Sequence, residues 1–384
     1  MCEVHRSVFT EMAYICQKFQ DLTTNDFIAV SSSNIVDKGS TTWRTPSNIA
    51  LVKYWGKRDP QLPENPSISF TLNNCHTITS LSFEKKSKID KSFSFKIIFE
   101  GEEKPSFQPK ILLFFERIVT YVPFIRDYDF VISSENSFPH SSGIASSASG
   151  MSAISMCLMQ LEKMLNPTIS ETYFYQKASF LARLGSGSAC RSVKGELVVW
   201  GEHKEIKGSS DLFGVPFTSE IAEIFKNYQD TVLLVDKGEK QVSSTVGHDL
   251  MYGHPFAKCR FEQAYKNISK MKSILEKGAI SDFITLVEKE ALTLHAMMMT
   301  SQPYFILMKP KTLEIIQKIW DYREVKDSNI CFTLDAGANV HLLYPKNEKQ
   351  AVQIFIEEEL AVFCQNRHYI HDEVGSGAIE LTGL

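Results

Sequence analysis

A mixed α+β protein of two lobes is the fold this sequence predicts, and three observations predict it. Residues 42–100 are strand-like and broken by turn residues. Residues 128–165 pass from a short strand through a small-residue loop into an apolar helix. Residues 231–364 alternate long helical stretches with short apolar strands. No internal repeat is visible.

In order along the chain, residues 49–54 and 67–72 read as strands, and 77–83 alternates polar and apolar residues. Residues 85–91 form a charged turn before a further alternating stretch at 92–100. Residues 110–121 have helical spacing and 128–133 a short strand. Tyr173, Phe174, Ala178 and Leu181 mark a helix over 170–183, which ends in a small-residue turn at 184–191. A strand follows at 196–200. The loop at 208–216 closes the first lobe. Beyond it come a strand at 231–235, helices at 256–277, 280–300 and 312–323, strands at 330–334 and 340–344, and a helix at 348–364. The division is 1–40 as an N-terminal extension, 41–217 as the first lobe and 218–384 as the second. In the extension, Val8, Met12, Ile15 and Phe19 make a short amphipathic stripe; a docked helix and partial disorder both fit it.

Composition narrows the class. With 43% hydrophobic and 22% charged residues the chain is an ordinary globular one. A net charge of −4 argues against nucleic-acid or membrane-surface partners, so any basic site must be local. The apolar run at 111–115 is among the longest, far short of a membrane span. The first residues lack the pattern of a signal peptide, and Arg6 alone among the first seventeen residues argues against a transit peptide. The eight cysteines are scattered without a C-x-x-C pair, as expected of reduced thiols in a cytoplasmic protein.

The most informative stretch is residues 139–150, Pro-His-Ser-Ser-Gly-Ile-Ala-Ser-Ser-Ala-Ser-Gly. Small residues let the backbone approach a ligand, and the apolar run from Met151 to Leu161 makes the loop open a helix. A helix amino end has unpaired N–H groups and a positive dipole end, which suit phosphate. The alternative is a Ser/Gly linker, which rarely runs straight into a periodic helix. No Lys follows the last glycine, so this is not a G-x-x-x-x-G-K-[ST] loop, and cations must come from elsewhere.

Four segments supply candidates. Asn48-Ile-Ala-Leu-Val-Lys-Tyr-Trp-Gly-Lys57 sets Lys53 in a hydrophobic strand, where it either snorkels to solvent or meets an anion. Ser186-Gly187-Ser188-Ala189-Cys190-Arg191 offers hydroxyls and a guanidinium suited to carboxylate or phosphate, or simply a capped turn. Val242-Ser243-Ser244-Thr245, after Lys237 and Lys240, reads as a helix cap or a phosphate contact. Asp335, at the end of an apolar strand, reads alone as a turn former. His295 is a satisfied interior histidine, Met297-Met298-Met299 is packing, and Cys190 is a packed side chain rather than a reactive thiolate.

Taken together, these motifs resemble those of the galactokinase, homoserine kinase, mevalonate kinase and phosphomevalonate kinase (GHMP kinase) superfamily. In order and spacing they resemble the diphosphomevalonate decarboxylase family within it, over roughly residues 42–384. The resemblance implies a GHMP kinase-like fold, with a ribosomal protein S5 domain 2-like N-terminal lobe and a ferredoxin-like C-terminal lobe. It implies ATP-dependent decarboxylation of mevalonate 5-diphosphate to isopentenyl diphosphate, with ATP and Mg2+ required, in a cytoplasmic homodimer. It makes Asp335, Lys53 and Arg191 catalytic: Asp335 faces the 3-hydroxyl, Lys53 lies beside it and Arg191 holds the substrate carboxylate. Around the substrate it places Tyr54, Trp55, Lys57, Ser186, Gly187, Ser188 and Thr245. Around ATP it places Ser141, Ser142, Gly143, Ala145, Ser146, Ser147, Ser149, Gly150 and Lys240, with Ser146 and Ser147 nearest magnesium. The chain departs from the family pattern at Ala338, where Pro is usual, at Pro66, where a small polar residue is common, and at His140. None removes a charged catalytic group. A superfamily kinase that stops at phosphorylation, a decarboxylase of the monophosphate, and a non-catalytic nucleotide-binding relative are the competing readings.

Overall fold

The computed structural model describes residues 22–30, 34–88, 90–139, 144–238 and 244–382; the side chains of Ser244 and Thr245 are outside that description. The expected stripe Val8, Met12, Ile15 and Phe19 lies outside the described residues. The described part of the extension docks on the first lobe. Phe27 is fully buried, stacked 4.4 Å from Phe180, and Ala29 N–H donates to the Tyr121 carbonyl.

The first lobe is built on a large sheet. Its long strands β1 (Lys38–Val52) and β4 (Ser67–Lys85) run antiparallel, with the short hairpin β2 (Lys57–Arg58) and β3 (Leu62–Pro63) between them. β5 (Ser94–Phe99), β6 (Glu102–Glu103), β7 (Tyr128–Asn136), β8 (Leu197–Trp200) and β9 (Val215–Pro216) complete the lobe's strands. The path through the sheet is β14-β1-β4-β7-β5-β6, where β14 (Ile379–Glu380) arrives from the far end of the sequence; β8 pairs with β4, and β9 with β8. The helices α1 (Gln108–Ile118), α2 (Ser146–Leu165) and α3 (Glu171–Gly185) belong to the same lobe, and α2 and α3 share an apolar core with β1, β4 and β7.

The second lobe has the four-stranded order β11-β12-β10-β13, from β10 (Gln229–Leu233), β11 (Cys331–Thr333), β12 (Val340–Tyr344) and β13 (Tyr369–Glu373). Its helices are α4 (Ser244–Asp249), α5 (Ala257–Lys277), α6 (Ile280–Met299), α7 (Pro310–Lys326) and α8 (Lys349–Phe355). The lobes share one apolar layer. Ile49, Leu51, Ile68 and Phe70 pack in the same cluster as Val232, Ile268, Met271 and Phe283. That layer explains β4: residues 67–72 are buried continuously because both faces are covered, whereas 75–83 alternates like a sheet with one wet face.

Three expectations differ in detail. The two strands foreseen at 67–72 and 77–83 are one, carried through polar Asn73 and Asn74 by a bulge opposite Pro46 and Asn48. The Asp372 carboxylate braces it, accepting from the N–H groups of Asn73, Asn74 and Cys75 at 2.8, 2.8 and 2.6 Å. The helix foreseen over 348–364 stops being α-helical after Phe355 and passes through a π turn (Ile356–Leu360) and a 3-10 turn (Ala361–Phe363). β13 and β14 went unforeseen because their short polar-rich text lacks alternation. Among the described residues no helix is long and apolar enough to cross a membrane.

Candidate active site

A cavity of about 500 Å3 opens between the lobes. Of the predicted residues, Lys53, Tyr54, Trp55, Lys57, Ala145, Ser146, Ser147, Gly150, Ser186, Gly187, Ser188, Arg191 and Asp335 all line it. Ser141, Ser142, Gly143 and Lys240 lie outside the described residues, as does the side chain of Thr245. Ser149 departs from expectation. Its side chain is fully buried and its hydroxyl pairs with Thr77 Oγ1 at 2.6 Å, so it ties the helix to β4 instead of lining the cavity.

Lys53 follows the last residue of β1 and reaches across the lobes. Its Nζ lies 3.1 Å from Asp335 Oδ1. Lys53 is 1% exposed, and burial pulls its ammonium below the ordinary value; Asp335 and, behind it, Glu290 oppose that pull. Thus a buried lysine finds its anion 282 residues away. Arg191, in the 3-10 turn Gly187–Ser192, is buried beside them. Nη1 donates to Ser67 Oγ at 2.6 Å and Nε to Asn48 Oδ1 at 3.3 Å, which aims the fork. Burial pulls its guanidinium below the ordinary value too, against the opposing pull of the Asp335 carboxylate and the neighbouring Cys190 and Tyr54.

Opposite this trio the small-residue loop enters α2. Ala145 occupies the N-cap in the left-handed region (φ 45°, ψ 38°), where residues other than glycine rarely sit, and its side chain offers the helix no cap. The strain is held by strand hydroxyls: Ser47 Oγ donates to the Ile144 carbonyl and Thr45 Oγ1 to the Ser149 carbonyl, both at 2.6 Å. The Ser147 and Ser186 hydroxyls meet at 3.4 Å, joining the loop to the Arg191 turn. Gly187 is needed where it stands, since a Cβ there would come within 2.9 Å of both Trp200 Cη2 and Tyr54 Oη. Beyond the loop the cavity turns apolar, lined by Ile97, Phe99, Phe107, Ile111, Ile132 and Ile154.

Several contributors were missed. His248, on α4, lines the cavity between Tyr54 and Trp55, with ring centroids 4.2 and 4.7 Å away. Gly56 N–H donates to its Nδ1 at 3.1 Å, so the proton sits on Nε2. Its signal was its place three residues after Thr245. Asn48 opens the quoted lysine motif, yet its role toward Arg191 needs the fold. The interior reading of His295 and the packed reading of Cys190 fit the structure. His295 is 1% exposed and held neutral by burial, down to about 4, while burial pushes the Cys190 thiol up to about 12. Ala338 sits in the turn after Asp335, its carbonyl held by Thr312 Oγ1 at 2.7 Å. Pro66 packs so closely on Gly201 that a Cβ there would come within 2.5 Å of the Pro66 Cα.

Both lobes match known families. Residues 45–212 match the diphosphomevalonate decarboxylase-like N-terminal domain, and residues 231–377 the mevalonate 5-diphosphate decarboxylase C-terminal domain. The chain is 30% identical over 324 residues to the diphosphomevalonate decarboxylase of Debaryomyces hansenii, covering 80% of each chain. It is 31% identical over 328 residues to that of Saccharomyces cerevisiae, covering 81% of this chain and 79% of the relative. Among solved structures, the mevalonate diphosphate decarboxylase of Staphylococcus aureus superposes with a TM-score of 0.76 at 27% identity, over 90% of this chain and 98% of that one. A structure of the family solved with MVAPP, AMPPCP and magnesium also gives 0.76, at 26% identity, over 90% and 99%. With both lobes matched in order and the lysine, arginine and aspartate gathered in one cleft, the chain belongs to the diphosphomevalonate decarboxylase family, enzymes of the GHMP kinase fold.

Proposed function

We infer that this protein decarboxylates mevalonate 5-diphosphate at the expense of ATP, giving isopentenyl diphosphate, ADP, phosphate and carbon dioxide. The observation that carries this reading is the Lys53–Asp335 pair, which sits in the same cavity as Arg191 and the open amino end of α2. A tertiary hydroxyl is a poor leaving group, and a carboxylate loses carbon dioxide only when its electrons have somewhere to go. Asp335 orients the 3-hydroxyl and accepts its proton as the γ-phosphoryl group moves onto that oxygen. The C–O bond to phosphate then breaks, and the electrons of the bond to the carboxylate form the new double bond as carbon dioxide departs. Arg191 holds the carboxylate for this step, and Lys53 keeps positive charge beside Asp335 throughout.

Ser186, Gly187, Ser188, Tyr54, Trp55, Lys57 and Thr245 form the substrate side. Ser141, Ser142, Gly143, Ala145, Ser146, Ser147, Gly150 and Lys240 form the nucleotide side, with the base in the apolar end. Ser149 supports the loop from behind. The donor chemistry fits magnesium: Ser146 and Ser147 hydroxyls line the cavity, and hydroxyls with phosphate oxygens suit a hard cation. Among the described residues no three His, Cys, Asp or Glu converge to hold a metal without the nucleotide. When bound, magnesium neutralises phosphate charge. A cytoplasmic homodimer completes the reading, and sedimentation tests its dimeric part. The direct test is incubation with ATP, magnesium and mevalonate 5-diphosphate. Equal ADP and carbon dioxide are expected; ADP without carbon dioxide would make the protein a kinase.

A further inference from the structure

The catalytic pair bridges two sheets, yet neither member is fixed by a sheet ladder. Lys53 lies just past β1, and Asp335 lies in the turn after β11. Both are held from behind by one helix. On α6, the Glu290 carboxylate accepts from the Lys53 backbone N–H at 2.9 Å. Five residues on, His295 Nε2 stands 3.1 Å from the Asp335 backbone carbonyl. A carbonyl can only accept, so the imidazole carries its proton on Nε2 and donates. Five residues of helix are about 7.5 Å along the axis and about 140° around it, so the two side chains leave on different flanks.

We propose that α6 is the ruler of the catalytic pair, with Glu290 and His295 as positioning residues that set the reach between Lys53 and Asp335. This rests on the function inferred above. The Glu290 end is firmly anchored. Glu290 is fully buried and also accepts from Arg260 Nη1 and Nη2 at 3.0 and 2.6 Å and from Asn267 Nδ2 at 2.5 Å. Arg260 Nη2 and Asn65 Nδ2 grip the Lys53 carbonyl at 3.2 and 2.9 Å, so the Lys53 backbone is held at both its N–H and its C=O. The His295 end is a hydrogen bond to a turn. Losing it removes the hold of α6 on the Asp335 backbone while leaving both charges in place. A misplacement of about 1 Å at a reacting group is enough to cost on the order of 100-fold in rate.

Glu290→Gln would strand Arg260 and destabilise the protein whatever α6 does for catalysis, so position 295 is decisive. Gln can set an amide N–H where Nε2 stood, whereas Asn is polar but too short, and Phe fills the space without a donor. The wild type and the three variants are assayed for ADP and carbon dioxide well below their thermal midpoints. His295→Phe is expected to lose about 10- to 100-fold in kcat, with KM for both substrates within about threefold of wild type. His295→Gln is expected to stay within about threefold of wild type in kcat. If His295→Phe does not fold, His295→Asn takes its place with the same expectation. A folded donor-less variant with wild-type kcat overturns the proposal. So does a loss confined to KM, or a Gln variant as slow as the donor-less one. Carbon dioxide release by the wild type tests the functional reading separately: its absence overturns both, while its presence beside a normal donor-less variant overturns only the ruler.

Discussion

Lys53 Nζ and Asp335 Oδ1 lie 3.1 Å apart at the junction of two sheets, and the pair joins residues 282 positions distant. Lys53 is enclosed, whereas the Asp335 side chain keeps 31% of its surface open toward the cavity. The cation is therefore fixed and the acid presented.

Asp335→Asn keeps the shape and removes the proton acceptor. ADP and carbon dioxide formation are expected to fall together by roughly 10²–10⁴-fold, with substrate affinity little changed. Coupled ADP detection and carbon dioxide capture on the purified variant check this; a near-normal rate contradicts the role of Asp335.

Arg191→Lys keeps the charge but loses the fork that meets Ser67 and Asn48. We expect a loss of about 1.5–3 kcal/mol in transition-state binding, on the order of 10- to 100-fold in kcat/KM for mevalonate 5-diphosphate. The KM for ATP should hardly move. Steady-state kinetics with each substrate varied in turn distinguish the two.

Gly187→Ala places a methyl group within 2.9 Å of Tyr54 Oη and Trp200 Cη2. Overpacking of this kind costs about 1–3 kcal/mol of stability. Because the strain falls on the cavity wall proposed to hold the substrate, binding of mevalonate 5-diphosphate should weaken about tenfold, as calorimetric titration would read. Unchanged affinity would remove Tyr54 from that wall.

His295 gives stability a pH dependence of defined sign. Burial lowers its value from 6.5 to about 4, against the raising effect of the Asp335 carbonyl. Between those values the unfolded chain binds a proton that the folded one refuses, so stability is full above pH 6.5 and drops as pH falls toward 4. The contribution of this one group reaches about 3 kcal/mol. His295→Gln should flatten the curve by most of that, about 2.4 kcal/mol, in urea unfolding followed from pH 7 to pH 4.5. An unaltered difference between pH 7 and pH 4.5 would refute it.

What the sequence disclosed was chemistry carried by local order. The loop into α2 announces itself through composition; the Lys53 strand, the Arg191 turn and Asp335 are ambiguous one by one and stand out only through the order in which they resemble a family's motifs, and the cleft holds all four together. What it concealed were partners set by distance. Ser149 looked like its neighbours, but helical geometry turns its hydroxyl toward Thr77 on another strand. His295 looked like an interior residue of a helix and Glu290 went unnoticed in the same helix, and only the packing of α6 behind both sheets gives them backbone groups to hold. Asp372 braces a bulge some three hundred residues upstream, which no local pattern encodes.

The apolar layer that Ile49, Leu51, Ile68 and Phe70 share with Val232, Ile268 and Phe283 has a consequence for engineering. A lobe excised near residue 217 would turn that layer toward water, and at ~25 cal/mol per Å2 the penalty favours aggregation over an independent fold. Chimaeras that graft one lobe onto a relative's must therefore transplant the matching face as well. Melting should show one cooperative transition, with the reaction centre and the folding unit rising or failing as a single object.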